Sequence, residues 1–329
     1  MPESDPVPDG PAASILIAAY NAEAFLDGAL ESALAQTCRD IEVVAVDDAS
    51  SDGTYAALQA WARRDPRVLV LRHAQRSGAA AARNTAIAAA RGRWLAVLDS
   101  DDAFRPERIE RLIAAAERDG ADLLADNLRE RDFASGAPLG TAFPPAQSAA
   151  PERLALADLL RRDRLDLPGR AKVGYLKPIV RRAFLERTSV RYRPDIRVGE
   201  DLLFYFECVA AGGRFRFARG EALYLYSVRG GSESSRGTSA PHLSAATASM
   251  RRTARRLGDA ELDALLRQRQ RIADSDAFDL AVETRRFGDA LRHARWADPA
   301  RIVRRFGMAA AAIRRRLGGR GDPARNGNA

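Results

Sequence analysis

The sequence predicts an α/β protein in which a mostly parallel, doubly wound sheet is followed by a helical C-terminal extension. Through the first 130 residues, short apolar runs alternate with segments that carry apolar residues at helical spacing. Alternation with short loops is typical of a parallel sheet with crossover helices. The polar clusters directly follow the apolar runs. They therefore lie at the carboxyl ends of the predicted strands, where open α/β sheets bind their ligands.

The elements follow from this pattern in order. The predicted strands of the first part are the apolar runs at 14–19, 41–46, 68–71, 94–98 and 122–127. The predicted helices between them cover residues 22–36, 54–64, 79–91 and 106–119. After Arg131 the pattern loosens into a loop, a short helix at 153–162, a strand at 173–180, a helix at 201–211 and strands at 215–217 and 223–226. From Pro241 onward the pattern is helical throughout.

The composition allows one large core and excludes several classes of protein. The chain has 329 residues, of which 46% are hydrophobic, and this suffices for a large core and a smaller second unit. No apolar run approaches the ~20 residues of a membrane-spanning helix. Residues 1–10 are rich in proline and acidic residues, unlike a secretory signal, so we expect a cytoplasmic protein. Cys38 and Cys208 can form neither a disulfide framework nor a zinc site.

The net charge of +8 is concentrated in the C-terminal tail. Ten of the 52 basic residues and two of the 44 acidic residues lie in residues 291–329. The rest of the chain is therefore neutral, and we expect no basic groove for a nucleic acid.

The most informative motif is the acidic loop Asp99-Ser100-Asp101-Asp102, which directly follows a predicted strand. Two carboxylates ~4 Å apart repel by about 1 kcal/mol in water and roughly 4 kcal/mol near a protein surface, so a cation is expected beside them. A divalent metal that carries phosphates fits, because Mg²⁺ and Mn²⁺ prefer carboxylate and phosphate oxygens. The alternatives are a solvated turn or a helix cap. Helix capping does not explain the three aspartates, because Pro106 places the predicted cap at Arg105, three or more residues after them.

Polar residues also follow the other strands. Tyr20 and Asn21 follow the first strand and Asp47 and Asp48 the second. We expect Asp47 to face the same crevice as Asp99 and to accept a base N–H or a ribose hydroxyl. Arg83, in the helix after Gly78, could bring a guanidinium to the same nucleotide, or it could lie on the helix surface.

Four segments of the chain, in this order and at these intervals, resemble the family 2 glycosyltransferases of the GT-A fold. The segments are Ser14–Asn21 (SILIAAYN), Val46–Thr54 (VDDASSDGT), Ala81–Asn84 (AARN) and Leu98–Asp102 (LDSDD). The similarity covers about residues 13–130 closely and continues more loosely to about 236. The chain has Ala18 where the family commonly has a proline, and this difference affects only the turn. Lys172 and Lys177 resemble the acceptor-side segment of members that act in exopolysaccharide and succinoglycan biosynthesis.

The resemblance implies an inverting transfer of a sugar from a nucleoside diphosphate, of the UDP type, to an acceptor hydroxyl. It implies Mn²⁺ or Mg²⁺ as the cofactor, held by Asp99, Asp101 and Asp102. Asp47 would contact the base, and Asp99 the ribose or the metal. The resemblance further implies that the nucleotide sugar is bound by residues from several loops: Ala18, Tyr20, Asn21, Asp47, Asp48, Arg83, Asp99, Arg229 and Arg236.

The resemblance also implies a catalytic base at Glu200-Asp201, ahead of an aromatic helix. It favours Asp201 as the base, with Glu200 orienting it or capping the helix. Two acidic residues that favour a helix N-terminus are an equally good structural explanation. Arg229 and Arg236 lie in a loop after Tyr226, and this loop either closes over the diphosphate or is a plain surface loop.

Residues 299–317 predict an amphipathic helix with an apolar stripe and a basic remainder. Such a helix either lies on an anionic membrane surface or packs its stripe on the catalytic domain. In the first case the protein is peripheral on the inner membrane face, and its glycan acceptor is lipid-linked. We expect four regions: a disordered start at 1–12, a catalytic domain at 13–236, a helical region at 237–317 and a disordered basic tail at 318–329. The alternative to an enzyme is a non-catalytic carbohydrate-binding or membrane-associated scaffold that keeps the fold.

Overall fold

A large central sheet, formed mainly by the first half of the chain, carries the candidate site. The computed structural model describes residues 10–144, 152–167, 169–218, 220, 222–229, 239–294, 297–298 and 302–303. Its first half contains strands β1 (Ala13–Ala19), β2 (Ile41–Asp47), β3 (Val68–Arg72), β4 (Trp94–Val97), β5 (Ala103–Phe104), β6 (Leu123–Asp126), β7 (Leu128–Asp132) and β8 (Pro138–Thr141). The helices of this half are α1 (Leu26–Leu34), α2 (Thr54–Arg64), α3 (Ala79–Ala89) and α4 (Arg108–Arg118).

The second half supplies four more strands and most of the long helices among the described residues. Its strands are β9 (Glu152–Leu154), β10 (Ile179–Arg181), β11 (Phe215–Ala218) and β12 (Tyr224–Val228). Its helices are α5 (Leu156–Arg162), α6 (Arg182–Thr188), α7 (Glu200–Ala210), α8 (Ala240–Leu257), α9 (Ala260–Glu283) and α10 (Phe287–Ala294), with a short 3-10 turn at Val173–Tyr175.

The central sheet confirms the predicted mostly parallel, doubly wound arrangement. Its strand order is β3-β2-β1-β4-β10-β6-β11-β9. β1 pairs in parallel with β2 on one side and with β4 on the other. The chain therefore winds outward from β1 to β3 and returns at β4, which places a crevice at the carboxyl ends of β1 and β4. β10 is antiparallel and lies between β4 and β6.

The sequence of the central strands explains their place in the core. Every residue of β2 and β4 is buried, as expected for parallel strands covered by helices on both faces. The alanine-rich helix α3 packs against β1 and β2, and its small side chains allow a close approach.

A second, four-stranded sheet holds the acidic loop next to β12, the last strand of the described residues. Its order is β5-β12-β7-β8. β5 directly follows Asp102 and pairs antiparallel with β12, so that Tyr224 lies opposite Phe104. This pairing brings the segment that ends at Arg229 to the acidic loop.

Several predicted boundaries are corrected. The predicted strand at 173–180 is a 3-10 turn followed by the short strand β10, because Gly174 and Pro178 interrupt the extended run. The predicted helix at 153–162 begins only at Leu156, and residues 152–154 form β9 on the edge of the sheet. α4 begins at Arg108 rather than at Pro106.

The C-terminal helices pack on the sheet region. α8 contacts α7, and α9 contacts α5. Met250 and Leu266 are fully buried in the same core as the central strands. No described helix has both the length and the apolar character that crossing a bilayer would require. Of the predicted amphipathic helix at 299–317 the structure describes only Ile302 and Val303, and residues 1–9 and 318–329 also lie outside the described part.

Candidate active site

A cavity of about 740 Å³ opens at the carboxyl ends of the central strands. It brings together most of the residues predicted to form a site. Those that line it are Ala18, Tyr20, Asn21, Asp48, Arg83, Asp99, Asp101, Asp102, Glu200, Asp201 and Arg229. Arg236 lies outside the described residues.

Asp47 does not line this cavity, contrary to the prediction. Its carboxylate is completely buried, and Oδ2 accepts from Arg72 Nε at 3.0 Å. The cause is the register of the sheet, which pairs Asp47 with Arg72 of β3. Asp48 is the acid that reaches the cavity instead. Its two oxygens accept from the backbone N–H groups of Ser77 and Gly78 at 2.8 and 2.7 Å, and His73 Nδ1 lies 2.7 Å from Oδ1.

Asp99 is bonded to two cations on the cavity wall. Arg83 Nη2 donates to Oδ1 at 2.8 Å, and Lys177 Nζ lies 3.1 Å from Oδ2. Burial raises the pKa of Asp99, but the Lys177 ammonium and the Arg83 guanidinium outweigh it and hold this pKa well below its usual range. Asp99 is therefore ionised, and each of its oxygens has one protein cation as a partner.

Asp102 is an internal anchor of the acidic loop. Its side chain is buried, Tyr224 Oη donates to Oδ2 at 2.7 Å, and the N–H of Ser227 donates to Oδ1 at 2.7 Å. Burial, together with the nearby charges of Asp99 and Asp101, raises the pKa of Asp102 well above its ordinary value. The contacts tie the loop to β12 and leave neither oxygen of Asp102 without a protein donor.

Asp101 is a member of the loop that could bind a metal ion. Its side chain is 21% exposed at the cavity, and Oδ2 accepts from Arg229 Nε at 2.7 Å. Among the described residues there is no group of three or more His, Cys, Asp or Glu side chains arranged to hold a metal. Mg²⁺ and Mn²⁺ bind through one or two carboxylates together with substrate phosphates. A hard oxygen ligand at a solvent-accessible position fits that mode. In the structure Asp99, Asp101 and Asp102 each have a protein partner, and their role as metal ligands stays a prediction.

Glu200 and Asp201 begin α7 and meet the same cations. Asp201 Oδ1 accepts from Arg83 Nη1 at 2.9 Å, and its Oδ2 accepts from Lys177 Nζ at 2.6 Å. Glu200 Oε1 accepts from Arg83 Nη1 at 3.0 Å. We call Arg83, Asp99, Lys177, Glu200 and Asp201 the ionic network. It contains three carboxylates and two cations, so one carboxylate is in excess.

The excess charge falls on Glu200. Burial and the neighbouring Asp201 carboxylate raise the pKa of Glu200 to about 7. The network can therefore take up or release one proton near neutral pH. A group with such a pKa in a cavity is a candidate for acid–base chemistry.

Lys177 is the functional residue whose role the sequence reasoning missed. It was assigned to an acceptor-side segment and not to the acids of the site. One signal in the sequence was available: Lys172 and Lys177 are the only lysines among 52 basic residues, and they lie in one short segment. An ammonium is a compact point charge, which suits a position between two neighbouring carboxylates.

The wall of the same cavity also includes residues from the second half of the chain. We call this part of the wall the distal lobe and define it by Asp163, Leu165, Lys172, Gly174, Tyr175, Arg197, Leu243 and Arg269. Leu243 belongs to α8 and Arg269 to α9. The C-terminal helices therefore form part of the cavity wall, which the sequence did not predict.

Several known proteins are similar to the chain in sequence. The sequence profile described as Glycosyl transferase family 2 matches residues 14–141. The succinoglycan biosynthesis protein ExoO of Rhizobium meliloti (strain 1021) is 40% identical over 233 residues, which are 70% of this chain and 64% of ExoO. The putative teichuronic acid biosynthesis glycosyltransferase TuaG of Bacillus subtilis (strain 168) is 31% identical over 204 residues, which are 61% of this chain and 73% of TuaG. The chain thus spans less than two thirds of ExoO.

Solved structures share the fold. S. aureus TarS 1-349 in complex with UDP-GlcNAc superposes with a TM-score of 0.62 at 21% identity, over 85% of this chain and 79% of TarS 1-349. The mannosyltransferase PcManGT from Pyrobaculum calidifontis, in complex with GDP-Man and Mn²⁺, superposes with a TM-score of 0.53 at 20% identity, over 92% of this chain and 81% of PcManGT. Because TuaG, which this chain covers to 73%, is 31% identical and the family profile matches as well, the chain belongs to glycosyltransferase family 2, and it has the GT-A fold.

Proposed function

We propose that the protein transfers a sugar from a nucleoside diphosphate, of the UDP type, to a hydroxyl of a glycan, with inversion at the transferred carbon. The observation that carries the proposal is the single cavity lined by Asp48, Asp101, Arg229 and the Glu200-Asp201 pair. In this cavity oxygen ligands, cations and a titratable acid are within reach of one bound substrate. All three are needed for the departure of a diphosphate and the deprotonation of an acceptor.

The nucleotide is proposed to lie beside Tyr20, Asn21 and Asp48. The Asp48 carboxylate is fixed by two backbone N–H groups, and Arg76 lies 4.0 Å above the centre of the Tyr20 ring. Aromatic and carboxylate groups suit a base and its N–H donors. TarS binds UDP-GlcNAc and PcManGT binds GDP-Man in structures of the same fold, which supports a nucleotide sugar as the donor.

The diphosphate is proposed to lie between Asp101 and Arg229. Arg229 is 29% exposed and donates to Asp101, so its guanidinium is available to bind phosphate oxygens when a cation takes its place at the carboxylate. A bound Mn²⁺ or Mg²⁺ would supply Lewis-acid neutralisation of the leaving group, with Asp101 as its protein ligand. The Mn²⁺ in the PcManGT complex supports this cofactor. Arg236, predicted to assist, lies outside the described residues.

The Glu200-Asp201 pair is proposed to take the proton of the acceptor hydroxyl, with Asp201 as the base. Arg83 and Lys177 hold the Asp201 carboxylate in one orientation at the cavity wall. When Glu200 is protonated, three carboxylates carry two negative charges, and the two cations balance them. Ionisation of Glu200 above about pH 7 adds a negative charge beside Asp201 and favours proton uptake by the pair.

The acceptor is proposed to be a glycan of polysaccharide biosynthesis, bound in the distal lobe. The names of ExoO and TuaG connect both relatives with polysaccharides. If residues 299–317 contact an anionic membrane, the acceptor is a lipid-linked glycan at its inner face. Tyr175 and Tyr226 form an edge-to-face pair with ring centres 6.0 Å apart at the cavity wall, and such rings suit the apolar faces of a sugar.

The proposal is tested by screening nucleotide sugars for a thermal shift with and without Mn²⁺, and then for hydrolysis of the donor. We expect one UDP-sugar to raise the melting temperature and to be hydrolysed slowly. A non-catalytic scaffold is the competing function, because protein cations pair with Asp99, Asp101 and Asp201 in the structure. Binding of a nucleotide sugar without any hydrolysis, unchanged in Asp201→Asn, would favour the scaffold.

A further inference from the structure

We infer that Arg269 of α9 is a positioning residue for the reaction, and that it acts on the acceptor side of the cavity through Asp163 and Gly174. The inference rests on the proposed function, since it assigns the distal lobe to the acceptor. It makes the C-terminal helices part of the catalytic machinery, although the family profile ends at residue 141.

The first contact joins α9 to the end of α5. Arg269 is 7% exposed, and its Nη2 donates to Asp163 Oδ1 at 3.0 Å. Its Nη1 donates to the main-chain oxygen of the same residue. Asp163 is itself buried. A buried guanidinium that binds both the side chain and the backbone of one residue fixes the position of that residue closely.

The second contact joins Asp163 to the 3-10 turn at Val173–Tyr175. The other carboxylate oxygen, Oδ2, accepts from the N–H of Gly174 at 2.7 Å. A Cβ at position 174 would lie 2.9 Å from this oxygen and 3.4 Å from Leu202 Cβ. A larger residue at position 174 would displace the Asp163 carboxylate, so glycine allows the close approach by which Asp163 holds the turn.

The segment around this 3-10 turn carries residues that line the cavity. Lys172 and Tyr175 line the distal lobe. Leu176 O accepts from Tyr205 Oη at 2.5 Å, and Lys177 then reaches Asp201 and Asp99. Arg269 is thus connected to the proposed base by its contacts with Asp163, by the hydrogen bond of Asp163 to Gly174, by the short stretch of backbone from Gly174 to Lys177, and by the ion pair of Lys177 with Asp201. Loss of Arg269 would leave the Asp163 carboxylate buried without its cation, and the turn would shift.

The position of Arg269 distinguishes it from a residue that only stabilises the helices. Gln270, the next residue on α9, is also buried, but it contacts Ser244 of α8 and Asp274 of its own helix and does not line the cavity. Substitution of either residue should destabilise the helical region. Only substitution of Arg269 should affect the turn and the chemistry. Gln270 therefore offers a matched control.

The experiment compares Arg269→Met, Arg269→Lys and Gln270→Met in the full chain. UDP binding is measured by calorimetry, donor hydrolysis with the UDP-sugar that gives the largest thermal shift, and amide exchange over residues 172–177. We expect Arg269→Met to bind UDP as the wild type does, to lose hydrolysis turnover by about tenfold or more, and to exchange the Gly174 amide faster. Misplacement of a catalytic group by ~1 Å can cost on the order of 10²-fold. Arg269→Lys should recover part of the turnover.

Two outcomes are informative in different ways. If Arg269→Met and Gln270→Met lose turnover equally and neither changes exchange over 172–177, Arg269 is merely structural and the inference is overturned. If the wild type hydrolyses no nucleotide sugar, the proposed function fails. The exchange data then still decide whether Arg269 fixes the turn.

Discussion

Lys177 Nζ lies 2.6 Å from Asp201 Oδ2, and both side chains are at least nine-tenths buried. The same ammonium lies 3.1 Å from Asp99 Oδ2. One lysine therefore joins the acidic loop after β4 to the start of α7, two segments that are distant in sequence. Breaking a buried ion pair is costly because the remaining charge keeps its desolvation penalty without its partner.

Lys177→Met should lower the free energy of unfolding by about 3–5 kcal/mol, because it leaves Asp99 and Asp201 with Arg83 as their only cation. Urea denaturation at pH 7 measures the change. The double variant Lys177→Met with Asp201→Asn should be more stable than Lys177→Met alone, since it removes the unpaired carboxylate. A Lys177→Met protein as stable as the wild type would show that the ammonium does not stabilise the ionised carboxylates of Asp99 and Asp201.

Asp201→Asn should lower glycosyl transfer by about 10²–10⁴-fold at every pH, as expected when a general base is lost. Glu200→Gln should retain part of the activity but lose the pH dependence near 7. In the wild type the rate should fall as the pH drops below about 7, because Glu200 becomes protonated. The measurement is kcat/KM between pH 5 and 9 for both variants. A loss in Glu200→Gln as deep as in Asp201→Asn would assign the base to Glu200.

The raised pKa of Glu200 also predicts how stability depends on pH. The folded protein keeps this proton up to about pH 7, whereas the unfolded chain releases it near the ordinary value of 4.5. Between these values the folded state binds more protons, so the Glu200 contribution to stability falls as the pH rises from 4.5 to 7. Glu200→Gln should therefore be more stable than the wild type at pH 8, by a larger margin than at pH 5. Urea midpoints at the two pH values test this, and a margin that is independent of pH would contradict it.

Asp101→Asn should raise the Mn²⁺ concentration needed for half-maximal donor hydrolysis by on the order of 10–100-fold. Arg229→Ala should lower that concentration, because Arg229 competes with a cation for the same carboxylate. Ser100→Ala is the control within the acidic loop and should behave as the wild type. Titration of Mn²⁺ into the metal-free enzyme, followed by hydrolysis, gives the values. Equal Mn²⁺ requirements in all four proteins would remove Asp101 as a ligand.

Removal of all residues after Val303 should abolish binding to anionic vesicles and leave donor hydrolysis unchanged. The cut keeps Ile302, which packs near Phe278 and Ala290, so the described helices retain their contacts. Co-sedimentation with vesicles of anionic and of neutral lipid measures the effect. Unchanged binding would favour the alternative in which residues 299–317 pack on the protein.

The central sheet and the location of the site could be predicted because both depend on local patterns. Apolar runs, helical spacing and the polar residues after each strand place Asp99 and Asp101 at a sheet edge without any knowledge of distant contacts. The choice between Asp47 and Asp48 could not be predicted in this way. It depends on the register of β2 with β3, which gives Asp47 to Arg72.

Contacts between distant segments were also not predictable. The pairing of Lys177 with Asp201 and of Arg269 with Asp163 depends on how α7 and α9 pack. A sequence of this composition offers many arginines and acids as partners. Periodicity shows that such residues lie on helices, but it does not show which of them face each other.

The insertion of β10 between β4 and β6 has a consequence for how the chain can be divided and synthesised. Both neighbours of β10 are complete by residue 126, whereas β10 begins only at residue 179. Until that residue leaves the ribosome, two strands expose unpaired backbone edges that can recruit other chains. A fragment that ends with the family profile at residue 141 would keep those edges open permanently. Such a fragment should therefore aggregate rather than fold as an independent nucleotide-binding unit.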